Sequence, residues 1–312
     1  MLVRRFLNIH DWAITPHRAW AAAYLRVALG AFMTLFFLDH LTQVLFLWGP
    51  HGQVGPITSG VWASNRGTFT LYIAALLVSL ALAIGILPRL TIILFNVVLL
   101  LFWSRNAPLL DGGHDILAII AFYLCFADTT SYYCLFRAPL LDRFKVIRRL
   151  SVVVHNAAMT MILIQISLVY FWSSAFKIMG HMWQDGTALY YILRSEWFSS
   201  PVASHIYLNA TFVTLATYGT IVVEMSFAFL LWSRKARIPV LCCIIGLHLG
   251  IGVMMGLKDF AIIMIAIDIG VLSDADILRI ERLVTKLTRR TPSRQAAGLQ
   301  PAVSGSVTEA YE

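Results

Sequence analysis

Trp20–Leu38 reads WAAAYLRVALGAFMTLFFL, with Arg26 as its one charged side chain. A hydrocarbon layer about 30 Å thick is crossed by about 20 helical residues. Inside it every backbone amide must find its partner within the chain, so such a run is predicted to be helical. Working outward, comparable runs occupy Phe69–Leu87, Leu90–Trp103, Ile116–Ala127, Ser151–Ser174, Ile206–Trp232, Ile238–Met255 and Phe260–Leu272. The third, fourth and eighth runs are short for a full crossing and are expected to extend into their flanks, tilt or bend. Composition points the same way. Hydrophobic residues make up 59% of the 312 and charged residues 13%, about half the charge of a soluble domain. The predicted fold class is an all-α integral membrane protein, a polytopic bundle of about eight transmembrane helices.

Charge placement gives the orientation. With the N-terminus inside, 18 of the 24 Lys and Arg residues fall on cytoplasmic segments, among them Arg89, Arg137, Arg143, Arg148 and Arg149. Five (Arg66, Arg105, Lys177, Arg194 and Lys258) fall outside, and Arg26 lies within the first run. This bias predicts both ends in the cytoplasm. It also accounts for the net charge of +8 without a nucleic-acid partner; the partner expected is the lipid bilayer. The resulting organisation is a cytoplasmic segment over 1–19 and a transmembrane domain over 20–273. Residues 274–290 (Ile277, Ile280, Leu283, Val284 and Leu287 at helical spacing) predict an amphipathic cytoplasmic helix. The polar tail over 291–312 is expected to be disordered. The four cysteines have no metal spacing, and no metal is predicted.

Ionisable groups in apolar runs are expensive, so they are the functional candidates. They are Glu224 and His248, with a buried Arg26–Glu224 pair as the packing alternative for Glu224. LLDGGHDIL contributes Asp111, His114 and Asp115, its glycines permitting tight backbone. YFWSSAFKIMGHMWQDGTALYYIL contributes Tyr170, Lys177, Trp183 and Asp185, with Asp185 read as a turn residue or an N-cap for a helix near Thr187. LWGPHGQVGP (Leu47–Pro56) reads as a tight turn. Each candidate has a structural reading beside the functional one. Lys177 can snorkel to headgroups, His114 can brace its turn, His248 can pack helices, and the aromatics can form an interfacial belt.

In their order, LRVALG with Arg26, WGPHG, DGGHDILAIIAFYLCFAD, YFWSSAFK…W.DGTALYY and HLGIGVMMGLKDF resemble the HTTM (horizontally transferred transmembrane) domain. That domain is the membrane part of vitamin K-dependent γ-glutamyl carboxylase and its bacterial relatives. The resemblance runs from Trp12 to Ser273. It implies a catalytic base at Lys177, with His114 and His248 at the positions of the family's histidines. Around Lys177 the carboxylase has two lysines where this chain has one, and the spacing to Trp183 is one residue longer. The large lumenal domain of the carboxylases is expected to be absent.

Burial among aromatic walls would let an amine at Lys177 give up its proton, and His114 could stabilise an oxyanion. The function expected from the resemblance is a quinol-linked enzyme in the bacterial inner membrane, modifying a peptide or small substrate at the extracytoplasmic face. Its cofactor would be a reduced menaquinone or vitamin K-type quinol. Lys177, His114 and His248 would be catalytic, and Asp111, Asp115, Tyr170, Trp183, Asp185 and Glu224 would line the quinol or substrate site. The alternative is a non-enzymatic membrane component of a peptide-toxin maturation or export system. A transporter ranks below both, because no pair of broken helices marks inverted repeats.

Overall fold

A computed structural model of the chain describes residues 15–137 and 145–289. Most of the predicted N-terminal segment, Arg143 and the predicted tail lie outside the described residues. The chain divides into two compact units, Met1–Asp274 and Ala275–Glu312.

The first unit is helical. Its long elements are α1 (Ala19–Asp39), α2 (Val44–Trp48), α3 (Asn65–Ile84), α4 (Pro88–Arg105), α5 (Gly112–Leu124) and α6 (Lys145–Met179). Three short helices follow, α7 (His181–Gln184), α8 (Ala188–Arg194) and α9 (Ala203–Ile206). Then come α10 (Ala210–Leu230), α11 (Arg237–Met254) and α12 (Lys258–Ile269). Among the described residues, six helices (α1, α3, α4, α6, α10 and α11) are long and apolar enough to cross a membrane. Their outward faces carry uncovered leucines and valines, such as Leu35, Leu100, Leu215 and Val222, each more than 60% exposed. Hydrocarbon is the surround that suits so much contiguous apolar surface.

The eight predicted runs all fold as helices, with three differences. α5 has 13 residues and α12 has 12, which at 1.5 Å per residue is about 18–20 Å, less than the hydrocarbon thickness. The second helix spans Asn65–Ile84 because Ser64 caps it through the Gly67 amide and Gly85 (φ 78) ends it. The sixth begins at Ala210 because the Asn209 side chain accepts from the Phe212 amide. α6 is longer than its apolar run. Its 35 residues reach about 52 Å, so it outruns any bilayer core at its ends.

α1 is the central element and packs on α3, α5 and α12. Gly30 permits the α1–α3 crossing, since a Cβ there would stand 2.6 Å from the Ala83 amide nitrogen. Arg26 points into this crossing and is fully buried. It donates to the carbonyls of Leu82 (2.5 Å), Ala83 (3.4 Å), Thr129 (3.2 Å), Tyr132 (3.2 Å) and Tyr133 (2.7 Å). The predicted Arg26–Glu224 pair is therefore wrong. The guanidinium closes the α3 end and the following loop with backbone oxygens, and the five N–H groups it carries are all engaged. The start of α1 is capped from afar, by Asp274 accepting from the Trp20 (3.0 Å) and Ala19 (3.3 Å) amides.

The WGPHG loop is held by Arg105, which the sequence reading used only as topology, and by Asn106, which it did not single out. Arg105 donates to Trp48 (3.2 Å), Gly49 (2.5 Å) and Gly55 (3.1 Å) carbonyls, and Asn106 donates to Leu47 (2.8 Å). The loop seals an aromatic layer of Phe37, Trp48, Tyr72 and Phe102.

The second unit carries the helix α13 (Asp274–Arg289). Leu278, Leu283 and Val284 are exposed along it, beside Arg279, Arg282 and Lys286.

Candidate functional site

α6 brings two polar groups onto one side, because Tyr170 and Lys177 stand seven residues apart, about two turns. Lys177 lies in the last turn, where helix carbonyl ends favour a cation. Its Nζ donates to Glu224 Oε1 (2.8 Å) and Oε2 (2.7 Å) and to Ser173 Oγ (2.6 Å). All three ammonium donors are thus used. The pair is sheltered, with Lys177 19% and Glu224 8% exposed, and the Trp183 ring covers the amine at 5.4 Å. Trp183 is fixed in turn by the docking of the α7–α8 segment on α10. There Tyr218 donates to the Gln184 carbonyl (2.7 Å) and the Leu189 amide to Thr217 Oγ1 (3.3 Å).

Two turns deeper, Tyr170 Oη lies 2.8 Å from both oxygens of Asp268 and 2.8 Å from His248 Nε2. His248 Nε2 is 3.4 Å from Asp268 Oδ2. All three side chains are buried, walled by Phe227 against Tyr170 and Phe260 against His248. The consistent proton assignment has Tyr170 donating to Asp268 and His248 Nε2–H donating to Tyr170 Oη. His248 Nδ1 then carries a lone pair, and it is buried without a hydrogen-bond partner among the described residues. A proton there would leave a buried donor unsatisfied, the costlier arrangement.

His114 occupies the start of α5. The Asp111 carboxylate caps the helix, accepting from Gly113 (2.9 Å) and His114 (3.1 Å) amides, and His114 Nδ1–H donates to Asp111 Oδ1 (2.8 Å). The ring stands edge-on to Phe32 and Phe36, with Nε2 buried and without a partner among the described residues. Burial raises the Asp111 carboxyl, but the hydrogen bonds from His114 and the helix amides outweigh it and hold the group below the usual carboxylate range. Asp111→Ala is expected to cost about 1 kcal/mol as a lost cap and to free the His114 tautomer. Asp111→Asn keeps most of the stability, and thermal unfolding of the two variants checks the difference.

The structure thus joins Lys177 to Glu224 and Trp183, and Tyr170 to His248. Among the described residues, no hydrogen bond or ring contact links His114 to either group. Phe260 comes nearest to doing so, since its ring meets His248 and its Cα would be 3.2 Å from a Cβ on Gly113. Asp115 is exposed in the first turn of α5. Asp185 is exposed in the turn that ends α7, its backbone N–H donating to the His181 carbonyl (2.9 Å), and is the turn residue of the two readings, not the N-cap. The position before α8 is Thr187, without a side-chain cap bond, and Gly186 (φ 72) makes the turn. Trp172 and Trp197 face outward.

Sequence reasoning missed Asp268 and Ser173. Asp268 is a lone carboxylate in an apolar run, the same signal that selected Glu224.

Comparison with known proteins adds little that is specific. No protein-family model matches the chain, and no solved structure matches it significantly. The uncharacterized protein YitO of Bacillus subtilis (strain 168) is 29% identical over 204 residues, covering 62% of this chain. The matched region is 63% of that relative's length.

Beside the site, α8, α10 and α11 enclose an apolar cleft of about 290 Å³. Phe212, Thr220, Val223, Leu247, Gly246 and Gly250 are among its walls. Thr220 lies one turn before Glu224 on the same helix face.

Proposed function

We propose that the chain is a multi-pass membrane protein of the HTTM type with about eight membrane-inserted helices and both ends in the cytoplasm. Its Lys177–Glu224 pair lies at the extracytoplasmic side and abstracts a proton from a quinol. The observation that carries this reading is the sheltered pair itself, an amine saturated by Glu224 and Ser173 and roofed by Trp183.

The residues fit such a ligand. The apolar cleft along α10, one turn from Glu224, suits an isoprenoid chain; His114, which does not line that cleft, has a buried Nε2 without a hydrogen-bond partner among the described residues. Bound there, a quinol supplies an acidic hydroxyl and two electrons. Lys177 becomes a base by passing one proton to Glu224 across 2.7 Å, which leaves a neutral amine beside a carboxylic acid. Ser173 holds the amine in place, Trp183 excludes water, and Asp111 fixes the His114 tautomer that leaves Nε2 free to accept.

The test uses purified protein in nanodiscs titrated with reduced menaquinone in air-saturated buffer, dioxygen being the oxidant (quinol + O2 → epoxide + water), following tryptophan quenching and the product by chromatography against a protein-free control. Saturable binding and turnover are expected, with turnover falling at least about 100-fold in Lys177→Ala and binding falling less. A wild-type protein that takes up no quinol sinks the reading.

A further inference from the structure

Far from Lys177 along α6, a second cleft of about 650 Å³ opens among arginines. Arg89 reaches it from the first turn of α4, Arg137 from the loop before α6, and Arg148 and Arg149 from the start of α6. Three separate chain segments therefore converge on one cavity. The loop is pinned beside α4, with the Leu87 amide donating to Phe136 (3.0 Å) and the Leu135 and Phe136 amides to Gly85 (both 3.1 Å).

Among the described residues, the cleft sets one carboxylate, Asp128, against Arg89, Arg148 and Arg149, a local balance of +2 (3 − 1) before Arg137 is counted. One Asp128 oxygen is already bound to the Thr130 amide (3.0 Å) and hydroxyl (2.6 Å). Burial raises this carboxyl, while the Thr130 bonds and the nearby Arg89 and Arg137 bring it below its ordinary range. His155 is spent on structure, Nδ1 accepting from the Asp128 amide (2.9 Å) and Nε2–H donating to the His17 carbonyl (2.7 Å). Among the described residues, no carboxylate lies within ion-pair distance of Arg89, Arg148 or Arg149. Ser131 and Ser151 add hydroxyl donors to the wall.

Arginines at a membrane surface need no special account. Four of them around one cavity, with hydroxyls and a single carboxylate, do, because guanidinium forks match phosphate oxygens two at a time and the volume suits a small ligand. We infer that this cleft binds a phosphate-bearing anion between Arg89, Arg148 and Arg149, with Arg137 in its wall. The phosphate belongs either to an anionic phospholipid headgroup or to a soluble polyphosphate.

Two arms of one experiment distinguish the sources, both on the full chain. In the first, protein in phosphatidylcholine nanodiscs is heated with and without 1 mM sodium pyrophosphate, with sodium sulfate at equal ionic strength as control. A soluble-phosphate site raises Tm by about 2–4 °C with pyrophosphate alone. In the second, protein exchanged into phosphatidylcholine vesicles containing cardiolipin is examined by native mass spectrometry. A headgroup site retains cardiolipin. In whichever arm is positive, Arg148→Gln/Arg149→Gln weakens binding at least about tenfold, one lost charge-assisted contact being worth that much or more. Arg282→Gln/Lys286→Gln on α13, which removes the same charge, leaves binding unchanged. Arg148→Lys/Arg149→Lys, which keeps charge and fold, restores it in part. Equal loss in both charge-removing pairs, or no response in either arm, overturns the inference.

Discussion

Lys177→Met is expected to destabilise the protein by about 3–5 kcal/mol, because it strands the buried Glu224 carboxylate without its partner. Glu224→Leu is expected to cost a similar amount by stranding the amine. The double variant Lys177→Met/Glu224→Leu removes both charges and fills the space with apolar atoms, so it should recover most of the loss. Thermal unfolding of the four proteins closes the cycle. Turnover of the quinol should remain abolished in the double variant although its fold is restored, which separates the pair's structural part from its chemistry. Additive losses in the double variant would show that the two side chains do not interact, and the proposed base would go with them.

Arg26→Leu should lower stability by at least about 4 kcal/mol. The substitution removes the donor from the buried carbonyls of Thr129 and Leu82, the latter keeping only the Gly85 amide at 3.3 Å, and from the partly buried ones of Tyr132 and Tyr133; a buried group left unsatisfied costs about 1–3 kcal/mol. Arg26→Lys should sit between the wild type and Arg26→Leu, since three ammonium donors cannot serve five acceptors. The decisive readout is the fraction of folded, monodisperse protein extracted from membranes, followed by Tm. A Leu variant as stable as wild type would mean that water replaces the guanidinium. Ala at Gly85 tests the same junction from the other side, where a Cβ would meet the Tyr133 carbonyl at 2.7 Å and the Arg26 Nη1 at 2.9 Å.

The helices were legible in the sequence because hydrophobic run length reports directly on what can be buried in hydrocarbon. Their ends were less so. Ser64 and Asn209 start helices by accepting from amides three residues onward, and several polar residues nearby could have done the same. Lys177, Glu224, Tyr170 and His248 were all singled out. Who pairs with whom was not legible, since pairing depends on how each helix is rotated about its axis. Hence Arg26 was assigned to Glu224, although the structure gives it only backbone oxygens. Asp268 carries the same signal as Glu224 and His248, an ionisable group in an apolar run, but its partner Tyr170 lies 98 residues away, so the cluster was not legible. Arg105 was passed over because a cation at a helix end was counted as topology and never asked which carbonyls it could reach.

Glycines in helices that lie in membranes usually serve to bring two backbones together. Gly219, Gly246 and Gly250 do the reverse, for a methyl at any of them would touch nothing within 4 Å. Helical glycine is worth about 1 kcal/mol less than alanine, and here that sacrifice secures vacancy in place of intimacy. The girth of whatever enters between α10 and α11 is thus set by three missing methyl groups, which makes the width of this slot adjustable one carbon at a time.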